Sequence, residues 1–516
     1  MTMMYTKHFP GGPAVSGLLS CLFVTMEYLI HPFSWFASQF ISLFIPTTSE
    51  LEKPYFVIVK VVFLFVPYLL ASVLFFPLYA IGVLARVPLQ HVRAPYIISE
   101  KWTPYSRRKY QKRRACDQYT ILTANLCLLP EFLARFNNLS RTASRATEIG
   151  QRIIVDQLLH DQNHAREAEL PIPLTRLLER HRLEHKRVLN YSANNSNKGV
   201  PAGMSPAISS ITSSLLVSST LAHFTQLDFL CFQECWSTTL TQRLVRELQQ
   251  LYPYIVHDIG AYDFDVNCYG FNSGLMFASK YCIGDVDFKP FTGELTRGAF
   301  DSKGLLMVKL QINKQHVGYI FLTHLEAFEG KKKIREKQMT SIMSWMHDFK
   351  KSNKELHDVI LFDFLCGDFN FDNMSPCDKS CQHHALFDKY EDVARERPGV
   401  DKAWSIGTKL RQLSLYEEAV SSPEVMQRTL QSPLKRPLYV VDATLVKGSY
   451  GEIRAQQPRL DGRGKPLITP RSGKRRTNYI LCRHNIPVIV ENYNFITRLA
   501  TLTDHVPISM TIKVHA

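Results

Sequence analysis

The sequence lacks the patterns of a zinc-binding or disulfide-stabilised protein. Its 516 residues include 11 cysteines, yet no CxxC pairs stand at the spacing of a zinc site. A chain of this length does not need a disulfide framework, so the cysteines favour a reducing, cytosol-facing compartment. The sequence also has no internal repeat, and its 45% apolar content fits one large domain with a separate module.

Charge is missing from one long stretch near the N-terminus. No charged residue occurs from Val61 to Ala85, a run longer than the ~20 residues that cross a hydrocarbon core. Pro67 and Pro77 interrupt the run, so a kinked span and a re-entrant hairpin are alternatives to a straight helix. A buried core helix would also be apolar, but such helices rarely lack a polar face over this length.

A second apolar stretch lies earlier in the chain, where Glu27, His31 and Pro32 divide it into two halves. Partial insertion into a membrane is expected for it, and without a small-residue cleavage site it is not expected to be a cleaved signal peptide. The predicted organisation is a hydrophobic module at residues 1–90 with apolar segments at about 13–45 and 54–86, a basic juxtamembrane linker at 91–116, and a large domain at 117–516 with polar insertions at about 189–220 and 455–477.

Basic residues are in excess. Lysine and arginine outnumber aspartate and glutamate by 61 to 46, a formal net charge of +15, which attracts nucleic acid or anionic lipid headgroups. Residues 107–114 hold six basic side chains, and each gains ~1 kcal/mol against an anionic leaflet. They predict a patch that binds anionic phospholipids and keeps the large domain on the cytosolic side, with a solvated loop as the alternative. Cys21 and Cys116 flank the membrane segments and are ordinary thiols or acylation sites.

Beyond Asp117, short apolar runs with strand character alternate with helical patterns. The strand-like runs are YTILTANLCLL, LDFLCFQECW, LMFASKY, GLLMVKLQI, VGYIFLTHL and VILFDFLCGDF, and the clearest helical pattern is SRATEIGQRIIVDQLL. This alternation predicts a mixed α/β (α+β) layered domain.

Several predicted strands end in polar residues that a packed core does not favour. These residues are Asn125, Glu234, His324, Asp368, Asn370, Asp504 and His505. Hydrolysis of a phosphodiester at neutral pH needs a cation, a base and donors for the transition state. Glu234 offers a hard carboxylate oxygen for Mg²⁺, Asn125 an amide oxygen, and His505 a natural general base. Each residue alone has an ordinary structural interpretation, but the set predicts a metal-dependent phosphodiesterase.

The ordered strings TANLCLLP, QECW, NSGL, THL, GDFNFD and TDHVP resemble the exonuclease/endonuclease/phosphatase superfamily, which has the DNase I-like fold. The strings FIPTT, VPLQHVRAPYI, RATEIGQRI, AWSIGT and FITRLATLTDHVPI are similar to neutral sphingomyelinases with two N-terminal hydrophobic segments. The short stretch between RATEIGQRI and LDFLCFQECW resembles the smaller, mitochondria-associated member. The resemblance implies a four-layer α/β sandwich of the DNase I-like type, preceded by an N-terminal helical membrane-associated module.

The resemblance also implies roles for the residues near the metal and the phosphate. Glu234 would bind Mg²⁺ with help from Asn125, with Mn²⁺ as a substitute ion. Asp368 and Asn370 would orient the attacking water and the scissile phosphate. Lys303 is a candidate phosphate contact, for which a solvent-exposed lysine is the alternative.

The resemblance makes His505 the base that accepts the proton of water, while His324 donates to a phosphoryl oxygen and Asp504 lies near the metal or its water shell. The sequence departs from the superfamily at one position of this site. An Arg-x-Asp-Tyr string usually supplies an acid that stabilises the protonated histidine, and the matching string here is RTNY, with Asn478 in place of the acid. An amide oxygen can still hold a ring N–H, but it brings no negative charge.

The function implied is hydrolysis of sphingomyelin to ceramide and phosphocholine at a membrane. A nuclease or phosphoinositide phosphatase on the same fold, and a catalytically weak membrane scaffold, are the alternatives. No nucleic acid partner is expected, because much of the charge surplus lies in residues 107–114 and in the loop near Arg475. The favoured location is a mitochondrial or endoplasmic reticulum membrane, with the Golgi or plasma membrane as alternatives. The sequence does not determine the oligomeric state.

Overall fold

The computed structural model describes residues 9, 13–110, 117–162, 179, 216–260, 271–296, 301–327, 329–444 and 456–514. Its helices are α1 (Pro13–Ser42), α2 (Thr48–Leu51), α3 (Pro54–Val92), α4 (Pro104–Tyr110), α5 (Glu131–Phe136), α6 (Thr142–Gln162), α7 (Thr238–Leu248), α8 (Lys332–Asn353), α9 (Lys379–Gln382), α10 (Pro423–Gln431) and α11 (Arg436–Tyr439). Its strands are β1 (Ile97–Glu100), β2 (Gln118–Asn125), β3 (Val217–Leu221), β4 (Phe229–Gln233), β5 (Tyr254–His257), β6 (Met276–Ser279), β7 (Cys282–Pro290), β8 (Gly304–Gln311), β9 (His316–His324), β10 (Val359–Asp368), β11 (Tyr390–Glu391), β12 (Arg395–Arg397), β13 (Val400–Asp401), β14 (Asn478–Arg483), β15 (Val488–Ile496) and β16 (Ile508–Val514).

Helices α1 and α3 form a long antiparallel hairpin with an apolar surface. Aromatic rings line their contact, including Phe36 stacked on Phe75 with centroids 5.6 Å apart, and Glu27 pairs with Arg86 at 2.5 Å. Both helices are long and apolar enough to cross a membrane by length and composition. Each runs unbroken through its prolines, so Pro32 does not interrupt the helix of the first stretch.

Both ends of this hairpin contact the large domain. At the turn between the helices, Glu50 binds Arg135 at 2.6 Å. At the end of α3, the guanidinium of Arg93 binds the carboxylate of Asp258 at 2.7 Å, and both side chains are buried. The hairpin therefore lies against the domain instead of extending away from it on a single tether.

Two mixed sheets form the large domain. One has eight strands in the order β1-β5-β6-β4-β2-β16-β15-β3, and the other has six in the order β11-β14-β10-β9-β8-β7. Successive strand residues point to opposite faces: Ile121 packs between the sheets, whereas Leu122 packs under α6 and α7. In the second sheet Phe364 faces the inter-sheet core and Leu365 faces the layer of α8. The result is the expected four-layer α/β sandwich of the DNase I-like type.

The segment predicted as a linker at 91–116 contains part of the sheet. Ile97–Glu100 pair antiparallel with β5 and form an edge strand, a piece too short to show a periodic pattern in the sequence. Of the basic patch at 107–114, Arg107 is exposed on α4, and the other side chains of the patch lie outside the described residues. Cys21 is exposed, and Cys116 lies outside the described residues as well.

The structure describes part of each predicted insertion. The end of the first, expected at 189–220, includes the start of β3, and its residues before 216 are outside the described ranges. The second, expected at 455–477, begins as an exposed loop, but Arg475 and Arg476 at its end are buried. Arg476 binds two aspartates and Arg475 binds Asp372, so these charges are neutralised inside the domain.

Candidate active site

The strand pairing places the predicted site residues at one edge of the two sheets. In the six-stranded sheet, the Cα of Asp368 lies opposite His324 in β9 and opposite Asn478 in β14. In the eight-stranded sheet, Asn125 ends β2 beside the last residue of β4, and Glu234 follows directly. Residues from distant parts of the chain therefore meet where the strands end.

Asn125 joins the two sheets. Its Nδ2 donates to Glu234 Oε1 at 2.8 Å and to Asp368 Oδ2 at 3.0 Å. Its Oδ1 accepts from the backbone N–H of Cys127 at 3.2 Å. In this orientation the amide presents its donor end to both carboxylates, so Asn125 would have to turn its amide over to offer an oxygen to a metal beside Glu234.

Two site residues have backbone angles that non-glycine residues seldom adopt. Glu234 has φ of 60° and Asn370 has φ of 53°. A glutamate in the left-handed region costs on the order of 1 kcal/mol, and such strain clusters at functional sites. Asn370 is fixed by two hydrogen bonds: its backbone N–H donates to Asp368 Oδ1 at 3.0 Å, and its side-chain Nδ2 donates to the carbonyl of Leu325 at 2.9 Å.

His505 is held between an amide and a carboxylate. Its Nδ1 lies 2.9 Å from Asn478 Oδ1, and its Nε2 lies 3.8 Å from Asp368 Oδ2. The bond to the amide oxygen forms when Nδ1 carries the ring proton, which leaves Nε2 as the basic nitrogen. The ring is 3% exposed. Its basic nitrogen, Nε2, faces the Asp368 carboxylate inside the site.

Burial and neighbouring charges move the pKa values of the site. Burial lowers the pKa of His505 below the ordinary histidine value, although Asp368 opposes the shift. Burial raises the pKa of the Glu234 carboxyl to about 7, and the charge of Asp504 adds to this. Burial also acts to raise the pKa of Asp368, but its interactions with His505 and His324, which favour the carboxylate whenever those rings are protonated, outweigh burial and hold that pKa at about 2. At neutral pH His505 is therefore neutral and Asp368 is ionised.

His324 and Lys303 lie on the other side of Asp368, around Trp236. The ring centroids of His324 and Trp236 are 6.1 Å apart, and Lys303 Nζ lies 6.0 Å from the Trp236 centroid. Lys303 is only 7% exposed and its ammonium donates to the carbonyl of Leu325 at 3.4 Å, so the solvent-exposed alternative for this lysine is wrong. Burial lowers the pKa of His324 well below the ordinary value, and Lys303 adds to the shift.

Two residues that the sequence interpretation missed contact the segment around His505. Gln412 donates through Nε2 to Asp504 Oδ2 at 2.9 Å. Lys409 pairs with His505 in an isolated antiparallel bridge. The string AWSIGT ends immediately before Lys409, which is the one signal in the sequence that could have drawn attention to this segment.

The donor set suits a hard divalent cation. Glu234 makes no ion pair with a lysine or arginine within the described ranges, although Asp504 raises its pKa and shares its surroundings. Among the residues that the structure describes, no group of three or more His, Cys, Asp or Glu side chains is arranged to hold a metal ion. Mg²⁺ commonly binds through one or two carboxylates, keeps several waters and takes the remaining ligands from substrate phosphate. A single unpaired Glu234 carboxylate next to Asn125 fits that pattern.

The two stacked sheets with helices on both outer faces form the DNase I-like fold, and the candidate site lies at one edge of those sheets. No protein-family model matches the chain. Over 97% of its length it is 31% identical to sphingomyelin phosphodiesterase 5 of Danio rerio, of which it covers 98%. It is 28% identical to sphingomyelin phosphodiesterase 3 of Rattus norvegicus, with 100% and 99% coverage. A mutant beta toxin from Staphylococcus aureus with bound magnesium ions shows 14% identity and a TM-score of 0.37, covering 76% of this chain and 98% of that one. The chain belongs to the neutral sphingomyelin phosphodiesterase family and is an enzyme.

Proposed function

We propose that this chain is a membrane-bound, Mg²⁺-dependent enzyme that hydrolyses sphingomyelin to ceramide and phosphocholine. The observation that carries the proposal is the link that Asn125 makes between Glu234 and Asp368, with His505 Nε2 3.8 Å from the same Asp368 oxygen. An ionised Asp368 and a neutral His505, with the Glu234 carboxylate in the same buried cluster, are the groups that water attack on phosphorus requires. Full-length similarity to sphingomyelin phosphodiesterases supports the choice of substrate.

In the proposed steps, the two histidines, Asp368 and Asn370 act in the positions that the structure shows. Asp368 and Asn370 orient a water for in-line attack, and Nε2 of His505 accepts its proton as the new P–O bond forms. The N–H of the neutral His324 donates to a phosphoryl oxygen as charge develops there. The bond from phosphorus to the ceramide oxygen breaks, and that oxygen takes a proton from solvent. The His505 imidazolium returns the proton of the attacking water to solvent, and phosphocholine is the second product.

Glu234 would hold the metal, with Asn125 assisting after its amide turns over and Asp504 ordering the surrounding water. When bound, Mg²⁺ supplies charge neutralisation for the phosphoryl oxygens and the departing ceramide oxygen, and Mn²⁺ is a proposed substitute. Lys303, held over Trp236, would contact the phosphate.

The hairpin of α1 and α3 is proposed to bind the lipid bilayer that contains the substrate. It exposes large apolar side chains that water does not favour. These include Leu18, Tyr28, Phe56, Val62, Phe63, Leu70, Leu74 and Leu84. Because both ends of the hairpin contact the large domain, we propose that residues 1–90 lie in one face of the membrane as a module and leave the domain at 117–516 on the cytosolic side.

The proposed location is a mitochondrial or endoplasmic reticulum membrane, with residues 107–114 bound to anionic phospholipids. The alignment with sphingomyelin phosphodiesterase 5 of Danio rerio is 551 residues long, and the alignment with sphingomyelin phosphodiesterase 3 of Rattus norvegicus is 669 residues long. The shorter alignment needs fewer gaps, which favours the smaller, mitochondria-associated subtype. Golgi and plasma membrane are the alternatives that imaging of the tagged full chain would separate.

Competitive turnover tests the substrate. Detergent-solubilised protein would receive labelled sphingomyelin, plasmid DNA and a phosphoinositide in the same Mg²⁺ buffer, with His505→Ala as the control for contaminating enzymes. We expect ceramide and phosphocholine to be the main products of the parent protein. Faster nicking of DNA, or faster release of phosphate from the phosphoinositide, would replace this proposal with one of the alternative activities.

A catalytically weak membrane scaffold is the second candidate, and the neutral Asn478 beside His505 is the observation that favours it. Equal ceramide release by the parent and by His505→Ala, both at the background level, would support the scaffold.

A further inference from the structure

Lys409 is a cation at the active-site edge that the proposed steps do not use. The segment that carries it runs antiparallel to the segment of the proposed base. Leu410 N donates to the carbonyl of Asp504 at 2.9 Å, and Val506 N donates to the carbonyl of Thr408 at 2.7 Å. Lys409 therefore stands directly opposite His505.

Residues directly opposite each other in an antiparallel pair project from the same face, with Cβ atoms about 4.5–5.5 Å apart. The ring of His505 is directed into the site, towards Asn478 and Asp368. The side chain of Lys409 consequently leaves the backbone on the side where the proposed chemistry occurs.

The backbone at Lys409 is firmly held. Its N–H donates to the carbonyl of Arg475 at 3.2 Å, and its own carbonyl accepts from Val441 N at 2.9 Å. The preceding hydroxyl, Thr408 Oγ1, accepts from the backbone N–H groups of Thr477 and Asn478 at 3.0 and 3.3 Å. The lysine thus projects from a fixed support that also positions Asn478.

Among the residues that the structure describes, the ammonium group of Lys409 has no anionic partner of its own. Across the described parts of the chain, its Nζ makes no hydrogen bond and no ion pair, although the residue is half-buried. Other basic groups nearby have partners: Arg475 forms an ion pair with Asp372, and the ammonium of Lys303 donates a hydrogen bond to the carbonyl of Leu325. The charge of Lys409 still acts on the site, because it contributes to the low pKa of Asp368 and of both histidines.

We propose that Lys409 binds a non-bridging oxygen of the scissile phosphate, as a second cationic contact beside Lys303. A phosphodiester brings one negative charge and its transition state spreads that charge over the oxygens, which an unpaired ammonium stabilises. The contact supplies a positive charge at the edge of the site that holds His505 and the neutral Asn478. This inference rests on the proposed phosphodiesterase site, but it does not depend on sphingomyelin being the substrate.

Binding of inorganic phosphate to the full-length, detergent-solubilised protein in Mg²⁺ buffer tests the contact. A charge-assisted hydrogen bond of this kind predicts a loss of about 10- to 100-fold in phosphate affinity for Lys409→Met. Lys409→Arg keeps a cation and should stay within about threefold of the parent. Lys435→Met is the matched control, because Lys435 is exposed on the neighbouring α11 start and should leave the affinity unchanged. Equal affinity for the parent and Lys409→Met would overturn the inference, as would absence of phosphate binding by the parent.

A measurement on the unaltered protein covers the case in which Lys409→Met fails to fold. Amine-specific acetylation followed by mass spectrometry reports the labelling rate of each lysine with and without phosphate. Phosphate should slow the labelling of Lys409 and leave that of Lys435 unchanged, and equal rates at Lys409 would contradict the contact. If the parent binds phosphate through Lys409 but releases no ceramide, the substrate proposal fails and this inference stands.

Discussion

The Nδ1 atom of His505 lies 2.9 Å from the amide oxygen of Asn478. The superfamily that the sequence resembles usually places a carboxylate at this position. The amide fixes the ring with Nε2 directed to Asp368, but it adds no negative charge that would stabilise the ring after it accepts a proton.

Replacing Asn478 with aspartate, the residue usual at this position of the superfamily, should therefore not lower the activity of the enzyme. For Asn478→Asp we expect ceramide release to be unchanged or faster, because a carboxylate holds the same ring N–H and stabilises the imidazolium. Asn478→Leu removes the acceptor and should lower turnover by roughly 100-fold. A marked loss in Asn478→Asp would instead show that the amide is required as it stands.

The pH profile should reflect a histidine that is hard to protonate. Burial lowers the pKa of His505, so its neutral form persists on acidification and kcat/KM should fall only through an apparent pKa below about 6.5. The profile is measured at saturating Mg²⁺ so that Glu234 stays ionised. Asn478→Asp should move the acid limb to higher pH, since the new charge favours the protonated ring. An acid limb of the parent centred at pH 7 or above would disagree with the assigned base.

Asn125 should matter more for catalysis than for stability. Asn125→Leu removes the amide that joins Glu234 and Asp368, and the loss of a group that orients a metal ligand costs roughly 10- to 100-fold in activity. Asn485→Ala serves as the control, because Asn485 is exposed and contacts Arg483 outside the site. Turnover of Asn125→Leu within about threefold of the parent would remove Asn125 from the site.

Arg476 should be essential for the stability of the large domain. Its guanidinium is fully buried against Asp392 and Asp401, and loss of one member of a buried ion group costs about 3–5 kcal/mol. We expect Arg476→Met to lower the free energy of unfolding in urea by this amount. The matched control is Arg397→Met, because Arg397 is exposed and pairs with Glu396 at 3.6 Å. This change should lower the free energy of unfolding by less than about 1 kcal/mol. Equal effects of the two changes would be the contrary result.

The parts of the fold with strong local patterns were predictable from the sequence. The apolar runs at β2, β4, β6 and β8–β10 and the helical pattern at α6 all form the elements that they indicate. The short edge strand β1 was not predictable, because four residues show no period. The continuity of α3 through Pro67 and Pro77 was also left open, since a lost backbone hydrogen bond can be tolerated where a neighbouring helix packs alongside.

The site was predictable where strand ends carry unusual polar residues, as at Asp368 and Glu234. It was not predictable where the function of a residue depends on which distant segment it meets. Lys409 and Gln412 follow an ordinary loop in the sequence, and their importance comes from pairing with the segment of Asp504 and His505. The strained backbone of Glu234 likewise appears only in three dimensions.

The most direct test of the account is a Mg²⁺ titration of ceramide release by detergent-solubilised full-length protein after chelation of metal, with His505→Ala and Glu234→Gln alongside. We predict that the chelated parent is inactive and regains activity as Mg²⁺ is added, that Glu234→Gln needs a much higher Mg²⁺ concentration, and that His505→Ala stays inactive at every concentration. Ceramide release that is independent of Mg²⁺, or that persists in His505→Ala, would contradict the account.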